Sequence, residues 1–252
     1  MDRRRFLRSL AATGAAAGTT ALAGCAGVLG DSGAEGTILG PPEVDLSEAS
    51  HPSYGQEMPD FTVPDPIAGE DITVSEFEGE RAVLWTSFYT NCPDGVCPAL
   101  ILRLRRAQAV AADPTGTNPK YPFIPQQIRE SIGPEAYSDE VAFLPTTFDP
   151  ERDTAEALRE YADQQGVNLD AGNWHFLRPE SYERAQELHD EQFGLLIEKQ
   201  LADENENLEY RFPHYGLIVL ANKRGIVERA YPMGAQTDIE RLVDDVQQVV
   251  TA

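Results

Sequence analysis

The stretch FYTNCPDGVCP, residues 88–98, places Cys92 and Cys97 between an apolar run at 82–88 and an amphipathic pattern at 98–112. An apolar run followed directly by a helical pattern predicts a buried strand that turns into a helix. A helix N-terminus carries partial positive charge and unpaired N–H groups, so both thiols are predicted to favour the thiolate form. A thiolate pair can exchange with a disulfide or bind a soft metal such as Cu(I). The residues alone leave both chemistries open.

The elements around this stretch predict a thioredoxin-like α/β fold with a central mixed sheet flanked by helices. Strands are predicted at 81–88, 141–148, 173–177, 208–212, 217–221 and 226–231, and helices at 98–112, 155–165, 179–193 and 237–250. A short hairpin is predicted over 58–74, and a hairpin turn at 222–225. Residues 113–139 predict a long insertion after the first core helix, with a short helix at 126–131. The dithiol then lies at the end of the first central strand.

The N-terminal residues predict an export signal rather than part of the folded domain. Residues 1–24 contain a twin arginine before a weakly apolar stretch, which is typical of a Tat-type export signal. The stretch ends in LAGC, similar to a lipoprotein signal-peptidase site, and Cys25 is then the lipidated first residue of the mature chain. The predicted organisation is signal peptide 1–24, disordered tether 25–56 and folded domain 57–252. The protein is therefore expected at the extracytoplasmic face of the cell membrane, held by its lipid.

Charge and cysteine content narrow the function further. The formal net charge is −22 over 252 residues, and only three of the 20 basic residues are lysine. Nucleic-acid binding is disfavoured because no basic patch is present to release counterions. Acidic residues spread along the whole chain favour adaptation to high salt over the alternative, an acidic surface that docks a basic partner. With Cys25 lipidated, one close pair of cysteines remains, too few for a disulfide framework or a zinc site.

Four segments, in order, carry a resemblance to a known family. They are the dithiol stretch 88–98, FDPERDT at 148–154, Trp174 at the start of a strand, and YRFPH at 210–214 before the hairpin. Together they resemble the Sco/SenC family of copper chaperones over roughly 58–252. The resemblance implies a thioredoxin-like fold and a copper site formed by Cys92, Cys97 and His214. Two thiolates and one imidazole suit Cu(I), and with an added ligand they also hold Cu(II).

The same resemblance implies a metallochaperone rather than an enzyme. Its partner would be the copper-binding subunit of a haem–copper terminal oxidase, and its cargo would go to the dinuclear copper centre of that oxidase. No feature of the sequence identifies the copper donor.

One departure from the family concerns the cysteine spacing. The family has three residues between its cysteines, whereas four, PDGV at 93–96, separate Cys92 from Cys97. Gly95 can take up the extra residue because glycine adopts positive φ at no steric cost. The wider spacing leaves an alternative open, a thiol–disulfide oxidoreductase in which Cys92 and Cys97 are catalytic and form a Cys92–Cys97 disulfide. A peroxiredoxin-like peroxidase is disfavoured because Tyr89 and Trp85 stand where that family has Thr and Pro.

The remaining polar candidates are assigned structural roles. His51, His175 and His189 are predicted to be surface or packing residues. Asp153 or Thr154 is a predicted helix N-cap. Asp94 is expected to raise the pKa of the thiols through its charge.

Overall fold

The structure, a computed structural model, describes residues 33–114, 136–201, 209–213 and 215–252. Within these ranges no helix is both long and apolar enough to cross a membrane. The predicted signal peptide, Cys25 and the predicted helix at 126–131 lie outside the described residues. The strands and helices are, in chain order, β1 (Thr62–Asp65), β2 (Glu70–Thr73), β3 (Ala82–Phe88), α1 (Val96–Ala112), β4 (Val141–Thr147), α2 (Ala155–Gln165), α3 (Tyr182–Glu187), β5 (Gln200–Leu201), β6 (Tyr210–Arg211), β7 (Ile218–Ala221), β8 (Val227–Tyr231) and α4 (Ile239–Val250).

The central sheet has four strands in the order β4-β3-β7-β8. β3 pairs in parallel with β4, with Ala82 opposite Val141, and antiparallel with β7. β7 in turn pairs antiparallel with β8, so the sheet is mixed, as the sequence predicts. The predicted strand at 173–177 pairs with β4 through isolated parallel bridges at Trp174 and Leu177 and does not form a continuous strand.

Both faces of this sheet are covered, and every residue of β3 is therefore buried. Successive side chains of a strand point to opposite faces. Leu84 and Phe88 lie in the core that includes side chains of α1, α2 and α4. Val83 and Trp85 lie in the opposite core, where Phe193 stacks on Trp85 with ring centroids 3.5 Å apart. The dithiol loop thus leaves the sheet from a strand held on both sides.

Helix boundaries follow their caps. α2 begins at the predicted residue because the side chain of Thr154 accepts the backbone N–H of Ala157. The predicted helix at 179–193 begins later, after its N-cap Ser181, and α3 continues into a π-helical turn, Leu188–Gln192. The π-helical turn departs from the prediction, since a period of 3.6 residues does not anticipate it.

The prediction of a disordered tether is wrong for residues 33–56, which are held against the folded domain. The buried carboxylate of Glu228 accepts the backbone N–H groups of Ile38 and Leu39, at 2.7 and 2.9 Å. Leu39 is buried in the main core. At the edge of β8, the N–H of Gly55 donates to the carbonyl of Val227 at 2.9 Å. The anchors of this segment lie far away in sequence, so its Gly- and Pro-rich composition gives no sign of them.

Candidate functional site

The dithiol lies in the loop between β3 and α1. Gly95 is the N-cap of α1 and has φ 78°, the left-handed conformation that the sequence predicts for it. Cys97 is the second residue of the helix and is fully buried. Cys92 lies before the turn and is half-buried, whereas Pro93, Asp94 and Gly95 are exposed. One thiol is therefore accessible from solvent and the other lies beneath the loop.

Hydrogen bonds tie the sulfur of Cys92 to the first turn of α1 and to Asp94. The backbone N–H of Cys97 donates to Sγ of Cys92 at 3.4 Å. The thiol of Cys92 donates to Oδ1 of Asp94 at 2.9 Å, and the same oxygen accepts the N–H of Val96 at 3.1 Å. Both cysteines are thiols in the structure, so the Cys92–Cys97 disulfide is not formed in it.

Burial raises the pKa of the Cys97 thiol well above its usual value. The hydrogen bond with Cys92 and the nearby charges of Cys92 and Asp94 add to this rise. The predicted effect of Asp94 is therefore confirmed at Cys97. The prediction that the helix N-terminus makes both cysteines thiolates is wrong for Cys97, because desolvation outweighs the helix dipole there. The backbone N–H of Cys97, in the first turn of α1, donates to the sulfur of Cys92 instead.

The segment before His214 forms the opposite wall of the site. An open cleft of about 310 Å³ is lined by Tyr89, Pro93 and Asp94 on one side and by residues 211–213 on the other. Phe212 is buried, and its ring packs edge-on against Tyr89 with centroids 5.3 Å apart. His214 itself lies outside the described residues. The chain nevertheless reaches the dithiol loop one residue before it.

Tyr89 connects the two walls. It directly follows β3, three residues before Cys92, and is fully buried. Burial raises the pKa of its hydroxyl far above the usual value, the charge of Cys92 adds to the rise, and the backbone of Phe212 opposes it. The Tyr89 hydroxyl is therefore close to both the dithiol and the segment that leads to His214.

The turn after β4 holds the beginning of the dithiol loop, at Thr90, through hydrogen bonds to Asp153. Asp153 is fully buried and accepts hydrogen bonds from the backbone N–H of Thr90 and from the hydroxyls of Thr90 and Thr147. Burial raises the pKa of Asp153 to about 6, although these hydrogen bonds oppose the rise. Thr154, and not Asp153, caps α2. Sequence reasoning gives Asp149 and Asp153 capping and turn roles, with a supporting role at the dithiol site as the alternative. The link of Asp153 to Thr90, 63 residues away, carries no local signal.

The other histidines lie in structural positions, as predicted. Nδ1 of His175 is 3.2 Å from Oδ2 of Asp65, and His189 is fully buried next to Trp85. His51 contacts the carbonyl of its neighbour Pro52. Among the residues that the structure describes, no group of three or more His, Cys, Asp or Glu side chains is arranged to hold a metal.

A family model described as SCO1/SenC matches residues 125–251, half of the chain. The chain belongs to the SCO1/SenC family. The matched residues include the 149–153 turn, α2, the 210–213 segment and the β7–β8 hairpin, but they begin after the dithiol. A search of curated proteins gives no match.

Solved structures give the same result for the fold. ScoI from Bradyrhizobium japonicum, solved with copper bound, is 16% identical with a TM-score of 0.53, covering 77% of this chain and 99% of its own. A SCO1/SenC family lipoprotein from Bacillus anthracis is 19% identical with a TM-score of 0.52, covering 77% and 94%. BsSco, described by its disulfide switch, is 19% identical with a TM-score of 0.53, covering 77% and 94%. The predicted thioredoxin-like fold is thereby confirmed for this SCO1/SenC protein.

Proposed function

We propose that this SCO1/SenC protein binds copper through Cys92, Cys97 and His214 and delivers it to the dinuclear copper centre of a haem–copper terminal oxidase. The observation that carries the proposal is the cleft in which the dithiol loop faces residues 211–213, immediately before His214. Two thiolates and one imidazole are suitable ligands for Cu(I), and also for Cu(II) with an added ligand. Copper is the cargo in this function, and the protein binds and releases it without chemical change to a substrate.

The comparisons support this assignment. ScoI from Bradyrhizobium japonicum shares the fold and has copper bound. BsSco is described as a member of the Sco family of cytochrome c oxidase assembly proteins. We therefore take the copper-binding subunit of such an oxidase as the partner.

The anchor follows from the N-terminal sequence. We place the protein at the extracytoplasmic face of the membrane, attached through a lipid on Cys25, and the Bacillus anthracis relative is described as a lipoprotein. Gly33, the first described residue, is eight positions after Cys25. Mass spectrometry of the protein extracted from membranes should show a lipid adduct on Cys25. Unmodified Cys25 in the membrane-extracted protein would contradict the anchor.

The copper proposal is tested by anaerobic Cu(I) titration of the reduced full chain carrying Cys25→Ser, which removes the third thiol. A competing chelator sets the affinity scale, and the salt concentration is kept high and constant because the chain is strongly acidic. We expect one equivalent of Cu(I) to bind, and His214→Ala to weaken binding by at least about tenfold. His51→Ala is the matched control, since Nδ1 of His51 contacts the carbonyl of its neighbour Pro52. Equal affinities of the two variants would rule out His214 as a ligand.

A second function, thiol–disulfide exchange, is favoured by the unequal exposure of the two thiols. The Cys92 thiolate, assisted by the N–H of Cys97, would attack a partner disulfide and form a mixed disulfide while one partner thiolate leaves. Cys97 would then attack Cys92 and pass its thiol proton to the second partner sulfur, which leaves as a thiol while the Cys92–Cys97 disulfide forms. The pair loses two electrons and the partner disulfide gains them.

The two functions separate experimentally. Reduction of a disulfide-bonded peptide should survive His214→Ala, and Cys97→Ser should trap the mixed disulfide through Cys92. A protein that binds copper but leaves the peptide oxidised would exclude the second function.

A further inference from the structure

We infer that Tyr210 and Arg152 are positioning residues that fix the segment leading to His214 against the dithiol loop. This inference rests on the proposed copper function and deepens it, because it names the contacts that set the geometry of the site. Tyr210 lies in β6, four residues before His214, and Arg152 lies in the turn after β4.

Tyr210 is held from three sides. The guanidinium of Arg152 lies 3.8 Å from the centroid of its ring, and Nζ of Lys199 lies 4.6 Å from the same centroid. The phenol donates a hydrogen bond to Oδ1 of Asp149 at 2.9 Å. A tyrosine that is stacked on cations and hydrogen-bonded at its tip has little rotational freedom. β6 is therefore fixed in place, and it ends three residues before His214.

Arg152 links the backbone of β6 to the same carboxylate. Its NH1 group donates to the carbonyl of Tyr210 at 3.2 Å, and its Nε forms an ion pair with Oδ2 of Asp149. The side chain of Asp149 is fully buried, and a buried carboxylate is costly to the fold unless it is paired with a charged group such as Arg152. Both oxygens of Asp149 are thus committed to Arg152 and Tyr210.

The turn that carries Asp149 also holds the dithiol loop. The N–H of Phe148 donates to the carbonyl of Phe88 at 3.1 Å, and Asp153 accepts the N–H of Thr90. A single turn, 148–153, therefore contacts both the chain before Cys92 and the chain before His214. A metal site whose ligands come from distant parts of the chain depends on such supports to bring them together. The turn therefore holds the chain that leads to Cys92 and the segment that leads to His214 relative to each other.

The protonation of Tyr210 keeps this support in place. Burial raises the pKa of the phenol far above its usual value, and the hydrogen bond to Asp149 raises it further. The Tyr210 phenol is therefore protonated and donates its hydrogen bond at neutral pH.

The test compares Tyr210→Phe, which keeps the ring and removes only the hydroxyl, with Arg152→Lys, which keeps the charge and removes the planar stack. Tyr231→Phe is the matched control, because it removes a buried tyrosine–aspartate hydrogen bond of 2.6 Å, to Asp245, between β8 and α4. Cu(I) affinity is measured on the reduced full chain with Cys25→Ser. We expect a loss of about 10- to 100-fold for Tyr210→Phe and Arg152→Lys, and no loss for Tyr231→Phe. Electron paramagnetic resonance of the Cu(II)-loaded protein should show an altered copper signal for the first two variants only.

A double-mutant cycle with His214→Ala decides whether the effect passes through the histidine. If Tyr210 positions His214, Tyr210→Phe costs no further affinity once His214 is absent. An equal loss with and without His214, or no loss in either case, would overturn the inference. If His214→Ala alone leaves the affinity unchanged, the proposed copper ligands fail first and the inference fails with them. Strong dependence on His214 combined with indifference to Tyr210 overturns the inference alone.

Discussion

His189 predicts a measurable dependence of stability on pH. Its side chain is fully buried in the π-helical turn, and its ring lies between Trp85 and Phe148, with centroids 5.9 and 5.8 Å away. Nδ1 contacts the carbonyl of Ala185 at 2.7 Å, while Nε2 is buried with no hydrogen-bond partner. The Nδ1–H tautomer satisfies this carbonyl, so the folded protein holds His189 neutral. Burial lowers its pKa to about 4.

The size of the effect follows from the two pKa values. In the unfolded chain the pKa of a histidine is about 6.5. Between pH 6.5 and 4 the unfolded chain therefore binds a proton that the folded protein does not bind. The contribution of His189 to stability is complete above about pH 6.5 and is lost as the pH falls toward 4. The full loss is about 3 kcal/mol, of which about 2 kcal/mol is lost between pH 7 and pH 4.5.

Asp153 acts with the opposite sign in part of this range. Its pKa is about 6 in the folded protein and 3.8 ordinarily, so folding favours the protonated carboxyl. Its contribution therefore decreases as the pH rises from about 4 to about 6. The wild-type protein alone would show a flattened curve, and the effect of His189 must be taken as a difference between two proteins.

The assay is denaturant unfolding of the wild type and His189→Phe at several pH values between 4.5 and 7, at one constant high salt concentration. Phenylalanine fills the aromatic site and removes the titration. At pH 7 the variant should be less stable by about 1 kcal/mol, since the hydrogen bond to Ala185 is lost. Between pH 7 and pH 4.5 the difference in stability should shift by about 2 kcal/mol in favour of the variant. At pH 4.5 the variant should therefore be the more stable protein by about 1 kcal/mol. Parallel stability curves would refute the argument, because they would mean that His189 takes up its proton equally in the folded and unfolded chains.

Three further substitutions test single contacts by denaturant unfolding. Gly95→Ala should cost about 1 to 2 kcal/mol from backbone strain alone, since φ is +78° and nothing lies within 4 Å of an added Cβ; Gly69→Ala, with φ +80° and equally open space, is its control and should cost the same. Phe212→Ala should cost about 3 to 5 kcal/mol because it removes a buried ring, and retention of full stability would mean that 209–213 does not pack on the domain. Glu228→Ala leaves buried N–H groups without an acceptor and should cost about 2 kcal/mol. It should also expose residues 33–56 to proteases, and unchanged protection would show that Glu228 does not hold them.

Much of the fold could be predicted because its signals are local. The largely apolar run of β3 marks a strand covered on both faces, and the hydroxyl of Thr154 marks the first residue of α2. The turn at 222–225 fixes the pairing of β7 with β8. What failed depends on contacts between distant residues. Leu39 is anchored by Glu228, 189 positions later, and composition alone makes that segment resemble a tether.

The site divides in the same way. Cys92 and Cys97 could be found from the sequence, because a thiol pair between a strand and a helix is a local pattern. The support beneath them could not be found, since Tyr210 is tied to Asp149 across 61 positions. The protonation of Cys97 was also beyond sequence reasoning. A helix N-terminus can be read from the chain, but complete burial of the sulfur is a property of the packed core, and it decides the pKa.

The four-residue spacing of the cysteines changes the chemical surroundings of the proposed copper site more than the distance between Cys92 and Cys97. The SCO1/SenC match begins at residue 125, so the dithiol must be judged from its own geometry. The extra residue lies in the exposed turn 93–95, where Gly95 adopts positive φ and reverses the chain. The N–H of Cys97 still reaches Sγ of Cys92 at 3.4 Å, so the insertion has not separated the two cysteines. What the turn adds is the carboxylate of Asp94, which accepts a hydrogen bond from the Cys92 thiol at 2.9 Å. If copper binds here, this carboxylate would compete with the metal by holding the thiol proton that copper must displace.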